Sequence, residues 1–344
     1  MRAKQFLVII ILIVTSFSKL FAQEDAVNVL EKIDAAIEIF NVKYLAYQSA
    51  VAHGSKMRKC EKKRLEMISS IDDARYAIAE VPYYKGDKSL HQSSTAYLKL
   101  VSNVLNENYE KIVSLEDIAE QSYDAMEAYI LLKKKVDEKM EEASLQNQQK
   151  IAEYCARQNI KLTEGTDENG SKMKQVGEVM DYYNKIYLSF FKCSVQESNM
   201  MDAMDKKNVI AMEQAKSAMA KYAAESLDTL KVVGNFKGDA TLKIACKKTM
   251  DFFINEVASV NKLSDYLLKE QDFTQLKKNF EHNAKAQDDK GEIDKYNAAV
   301  AELNKSLETF NKTNQQLNKG RDEAYKGWND GMKTFMDNQV PYAK

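Results

Sequence analysis

The amino-acid sequence predicts an all-α fold: an elongated bundle of about eight long helices, arranged as two tandem four-helix units. Three observations carry this. Apolar residues recur at steps of three and four through almost every segment, the spacing by which a helix buries one stripe. Turn formers are scarce, with 2 prolines and 11 glycines in 344 residues, whereas chains built of hairpins need many of both. Two stretches of the first half also recur, in the same order, in the second.

The chain opens on a pattern of its own. Arg2 and Lys4 precede an unbroken apolar run from Phe6 to Val14, and small and polar residues follow up to Ala22. The run is too short for a hydrocarbon core that needs about 20 residues, so residues 1–22 read as a signal peptide cleaved after Ala22. No Cys follows the run, and no later segment is apolar enough to span a membrane. The expected location is therefore exported: periplasm, cell surface or exterior.

The remaining chain divides into a first helical repeat unit at 23–162, a second at 168–338 and a tail at 339–344. The first unit reads as helices at 25–53, 55–81, 88–111 and 115–159; the second as helices at 171–203, 206–233, 239–269 and 272–337, the last interrupted near Asp288 to Gly291. Between Ser114 and Asn159 one stripe runs through Ile118, Ser122, Ala125, Tyr129, Leu132, Val136, Met140, Ala143, Asn147, Ile151 and Tyr154. Ser114 with Asp117 resembles a capping box at its start. A loop from Thr163 to Ser171 closes it. Later stripes run from Val176 to Phe190, from Leu242 to Leu267, and through Tyr296, Val300, Leu303, Leu307, Phe310, Asn314 and Leu317. Stripes backed by charged faces are what partly supercoiled bundles show.

The repetition rests on two marks. Phe40-Asn41-Val42-Lys43-Tyr44-Leu45-Ala46-Tyr47 parallels Tyr183-Asn184-Lys185-Ile186-Tyr187-Leu188-Ser189-Phe190, and Tyr84-Lys85-Gly86-Asp87 parallels Phe236-Lys237-Gly238-Asp239. Their offsets are 143 and 152 residues, which predicts an internal duplication with a small insertion. At the second mark Gly86 and Gly238 suit the left-handed residue of a turn, and Asp87 and Asp239 suit the cap of the next helix. The Lys-Gly-Asp tripeptide also resembles an adhesion motif recognised by integrins on mobile loops. Its recurrence at two helix starts favours capping.

Charge excludes some partners. The leader takes Arg2, Lys4 and Lys19 with it, leaving 47 basic against 51 acidic residues, a net of −4. Interspersed signs and a slightly acidic balance argue against nucleic acid and anionic membranes as partners, both of which need a basic face. The basic run Lys56 to Arg64 reads as a solvated helix face. Cys60, Cys155, Cys193 and Cys246 are far apart, with no Cys-x-x-Cys; the reading is free, mostly buried thiols.

The search for chemistry returns no committed site. His53, His91 and His282 are scattered, and none follows a Glu at the Glu-x-x-His spacing of di-iron bundles. His-Glu-x-x-His, phosphate-loop and nucleophile-elbow motifs are absent. No catalytic, metal or cofactor-binding residue is assigned, and no cofactor is expected. Phe40, Tyr44 and Tyr47, with Tyr183, Tyr187 and Phe190, read as core rather than as a ligand groove. Met200, Met201, Met204, Met212 and Met219 read as gap fillers. One pattern is left over: Asn297, Asn304, Asn311 and Asn318 recur every seven residues beside the last stripe. They form either a polar seam fixing register against a neighbouring helix or a strip for a binding partner.

Tyr97-Leu98-Lys99, Val104 to Tyr109, Ile118 to Tyr129, Tyr182-Tyr183-Asn184 and the Val340-Pro341 ending together are similar to an uncharacterised family of exported, helical bacterial surface proteins. The resemblance covers most of the chain after the leader. It implies export and a surface location, and supplies no reaction, ligand or catalytic residue. The function expected is that of a non-enzymatic envelope or surface protein that binds or scaffolds another macromolecule. Two alternatives stand beside it: a membrane-active pore-former, and an enzyme with a carboxylate site inside a bundle.

Overall fold

The computed structural model describes residues 10–11, 20–119, 121–163 and 168–343. Of the leader at 1–22, residues 1–9 and 12–19 lie outside that set. The chain is all-α, and eight long helices account for nearly all of it. They are α1 (Leu20–Ala52), α2 (Met57–Ala79), α3 (Ser89–Ala119), α4 (Tyr123–Arg157), α5 (Glu168–Asp205), α6 (Val209–Val232), α7 (Thr241–Glu281) and, after the five-residue α8 (Ala284–Asp288), α9 (Lys290–Gln339). Ile10–Ile11 and Leu162–Thr163 pair as a two-residue antiparallel ladder.

Two compact units result: residues 1–182 with 336–344, and residues 183–335. In the first, α1 packs on α2, α2 on α3 and α3 on α4. The core is closed by Ile33, Phe40, Ile71, Ile78, Leu98 and Tyr154. The Tyr154 hydroxyl donates to the Ala26 carbonyl at 3.3 Å, which ties α4 back to α1. The chain's end belongs here too: the Ala343 N–H donates to Ser49 Oγ at 3.1 Å, and Tyr342 stacks on His53 at 3.7 Å.

In the second unit, α5, α6, α7 and α9 enclose Ile186, Phe190, Met212, Met219, Phe253 and Phe335. Trp328 stacks on Phe190 with ring centres 4.3 Å apart. The α5–α6 turn is fastened to α7 by Lys207, whose Nζ lies 2.6 Å from Glu270 Oε2 and whose carbonyl accepts from Gln271. Past Gln271, α7 continues to Glu281 and returns through α8 and the start of α9. Phe273–Tyr296 and Phe280–Tyr296 ring contacts at 5.5 and 4.7 Å hold this stretch together. It is a two-helix arm with one aromatic seam.

The two Lys-Gly-Asp turns share a backbone. Lys85 and Gly86 have φ of 50° and 74°, and Lys237 and Gly238 of 48° and 91°. Two successive positive φ values make the tight turn that glycine favours at its second position. Asp87 Oδ1 accepts from the Ser89 N–H at 2.9 Å, and Asp239 Oδ1 from the Thr241 N–H at 2.7 Å. Each aspartate thus caps its helix from one position further upstream than the cap residue itself.

Three boundaries correct the sequence reading. Ser114 and Asp117 lie inside α3, not at a helix start. The break falls at Ser122, whose backbone is extended and whose hydroxyl accepts from the Ala125 N–H at 3.2 Å. The expected end near 269 is also absent, because Tyr266, Phe273 and Phe280 extend the stripe and find Phe310 and Tyr296 on α9. The chain breaks at 282–283 and again at Asp289, within the expected interruption at Asp288 to Gly291; there Oδ1 accepts from the N–H groups of Gly291 and Glu292 and starts α9. Finally, Gly170 sits inside α5, so the loop after α4 is shorter than the predicted 163–171; residues 164–167 lie outside the described set.

Candidate functional site

The amide strip of α9 is solvent-exposed along its whole length. Asn297, Asn304, Asn311 and Asn318 are all exposed, as are Ala301, Glu308 and Gln315 between them. At 1.5 Å per residue the strip is about 32 Å long. It starts on the arm, where ring contacts join α7 to α9, and continues to the turn of α9 that carries Arg321. Among the described residues, Asn297, Asn304 and Asn311 make no hydrogen bond to another side chain; Asn318 Oδ1 accepts from Arg321 Nη1 at 2.6 Å.

The register-fixing reading therefore finds no neighbouring helix. The α9 positions that turn inward are others: Ser306, Thr313 and Leu317 are at most 7 % exposed, and Tyr296 and Phe310 meet the rings of α7. A groove of about 490 Å³ runs beside the strip, lined by Lys262, Asp265 and Lys269 of α7 and by Ala301, Glu302 and Lys305 of α9. A second, open groove of about 990 Å³ lies at the α5–α6 turn, where Ile210 and Leu268 are 74 % and 48 % exposed.

Deeper in the same unit is a cluster that sequence reasoning missed. Glu197 of α5 and Glu256 of α7 are 4 % and 0 % exposed, and both bond to Arg321 of α9. Arg321 Nε donates to Glu197 and Nη2 to Glu256. Tyr325, one turn further along α9, donates its hydroxyl to Glu197 Oε2 at 3.0 Å. Nη2 also lies 3.1 Å from Met201 Sδ. Glu256 Oε2 has no hydrogen-bond partner among the described residues. Burial, aided by the Glu197 charge and opposed by Arg321, pushes the Glu256 carboxyl up to about 7. Burial and then Glu197 push the Tyr325 phenol up, so it remains a donor.

A signal for these residues was present in the stripes. Glu256 stands three residues after Phe253 and four before Val260, both fully buried, so it occupies a core position. Glu197 lies between Phe190 and Met204, seven residues from each, and Arg321 lies between Leu317 and Trp328. A charged side chain at a core position on each of three stripes is the pattern to look for. The partnership itself, across 59 and 65 residues, leaves no mark in spacing.

The aromatic and methionine candidates lie in the core or at its edge. Phe40 is fully buried, and Tyr44 and Tyr47 are packed against the core at its edge. Tyr183, Tyr187 and Phe190 form a stacked run reaching Trp328. Met200, Met204, Met212 and Met219 are buried, while Met201 is half-buried against Arg321. All four cysteines are free. Burial pushes the thiol of Cys155 to about 11 and those of Cys193 and Cys246 to about 12, which leaves them protonated and unreactive.

The histidines are not brought together. His91 bonds to the Val81 carbonyl and His282 to the Lys278 carbonyl, each at 2.7 Å. The basic run of α2 is largely paired: Arg64 meets Glu61 at 2.7 Å, and Lys43, Lys62 and Lys63 surround Glu66 at 3.5–3.8 Å. Among the described residues no cluster of three metal-ligating side chains occurs, and no helix is long and apolar enough to cross a membrane. No family model, curated protein or solved structure matches the chain.

Proposed function

We propose that this is an exported, non-enzymatic helical-bundle protein of the bacterial envelope or surface, which binds another macromolecule along the exposed amide face of α9. The exposure of the strip carries the reading. Asn is a poor helix former, worth roughly 0.6 kcal/mol less than Ala at each position. Four of them at heptad spacing lower the intrinsic stability of α9 by about 2 kcal/mol and return little internal bonding. Amides that neither pack nor cap are still well suited to a partner, since each offers a donor pair and an acceptor at low charge. The leader-like N-terminus and the resemblance to exported surface proteins support the location.

The carboxylate-enzyme alternative has its pair of groups in Glu197 and Glu256. Neither groove described above is lined by them, however, and Arg321 fills the space between them. The pore-forming alternative has no long apolar helix in its support among the described residues.

The test is affinity capture from envelope extracts with the purified protein and with an Asn304→Lys/Asn311→Lys variant of unchanged helicity. A protein or glycan retained by the wild type and reduced about tenfold or more by the variant, a loss of about 1.4 kcal/mol, supports the proposal. Equal retention by both removes the strip as the binding face.

A further inference from the structure

We propose that the Glu197–Arg321–Glu256 cluster is a proton-controlled pin: with a proton on Glu256 it ties α5, α7 and α9 together, and loss of that proton loosens α7 and α9 from α5. The argument begins with a charge count. One guanidinium serves two carboxylates, giving one bond to each rather than a bidentate pair to either. If both acids are ionised, the buried cluster carries a net negative charge, and a buried charge without full compensation is strongly destabilising.

The partners decide which acid takes the proton. Glu197 accepts from both Arg321 and Tyr325, whereas Glu256 accepts from Arg321 alone and leaves Oε2 bare. A carboxylate with more donors holds its charge better, so the proton belongs on Glu256. The pressure of burial on that carboxyl points the same way. Arg321, with 17 % of its side chain exposed, gives solvent protons a route in.

Among the described residues, two charged groups act on Glu256. They are Glu197 from α5 and Arg321 from α9, with the neutral phenol of Tyr325 on the far oxygen of Glu197. The six charged side chains of α6 form the pairs Glu213–Lys216, Lys221–Glu225 and Asp228–Lys231.

The other half of the chain shows that packing does not require an acid here. Extending the register of the two Lys-Gly-Asp turns places Leu90 with Leu242, Leu98 with Met250 and Val101 with Phe253, every one at most 1 % exposed. In that register Val104, 6 % exposed, stands where Glu256 does. A valine fills the equivalent position without difficulty. The acid is particular to the second unit, and it brings proton dependence that a valine cannot.

The sign follows from linkage. Folded Glu256 keeps its proton up to about 7, while the unfolded chain releases it near 4.5. The folded state thus binds more protons in that window, so its stability falls as pH rises from 4.5 through 7 and then levels off. Trp328, the one tryptophan of the chain, lies on α9 seven residues beyond Arg321 and is 2 % exposed, so its emission reports this unit.

The experiment is thermal unfolding of the full chain, followed by Trp328 fluorescence from pH 5 to pH 8.5 at fixed ionic strength. The wild-type midpoint is expected to fall by about 5 °C, and that of Glu256→Gln to stay level across the same window. A glutamine variant that keeps the wild-type slope overturns the proposal, as does a wild-type midpoint that rises or does not move. Should the variant not fold, amide exchange of the wild type decides. Protection over residues 250–260 and 317–328, corrected for intrinsic rate, should drop about tenfold or more between pH 5.5 and pH 8; unchanged protection overturns it.

Discussion

Residues in the two Lys-Gly-Asp turns were largely legible, because the information is local; each aspartate caps the next helix, but from one position before the cap residue itself. A left-handed residue followed by an acid before a helix can be read from four letters, and the φ values of Gly86 and Gly238 bear it out. The same geometry gives a prediction. Gly238→Ala places a Cβ at φ 91°, a conformation that penalises L side chains by about 1–2 kcal/mol. No neighbouring atom lies within 4 Å of that Cβ, so the loss should be wholly conformational. Urea unfolding should show about 1 kcal/mol or more of destabilisation, with Gly86→Ala matching it. A neutral substitution at either site contradicts the shared-turn account. The buried Glu197–Arg321–Glu256 cluster was illegible for the opposite reason. Its three members come from three helices, and only their placement on core stripes hinted that each charge needed a partner.

At the level of the helix, stripes reported the existence and type of each element well and its ends poorly. The α3–α4 break falls at Ser122 and not at Ser114, though both are serines before an apolar run; the Ser122 hydroxyl accepts from the Ala125 N–H, a bond that only the folded backbone shows. The extension of α7 to Glu281 depends on Tyr296 and Phe310 of another helix, and no window along α7 contains them. The close approach of α9 to α7 was hidden as well. A methyl added at Gly331 would collide with the Ala245 Cβ, while one at Gly327 would meet nothing within 4 Å. Both positions are helical, where Gly is about 1 kcal/mol worse than Ala. Gly327→Ala should therefore stabilise by about 0.5–1 kcal/mol. Gly331→Ala should destabilise by about 1–3 kcal/mol through overpacking. Thermal melts by circular dichroism separate the two. Shifts of the same sign mean that the α7–α9 crossing is looser than described.

Across the whole molecule, fold class and function part company. Helical periodicity, few turn formers and a repeated turn specify a bundle, and none of them specifies what the bundle meets. The amide strip stood out in the sequence only as a period of seven. Its meaning turned on exposure: Asn297, Asn304, Asn311 and Asn318 face solvent, while Ser306, Thr313 and Leu317 are buried. A regular exposed face on which three of the four amides bond to no other side chain among the described residues is the basis for assigning binding to it. The most direct measurement places a photoreactive residue at Asn304, and a control at Lys231 on the exposed surface of α6, in the protein as its producing cells make and export it. The account predicts a discrete cross-linked adduct from position 304 and none from position 231. Adducts of equal yield from both positions, or none from position 304 in any compartment, would contradict it.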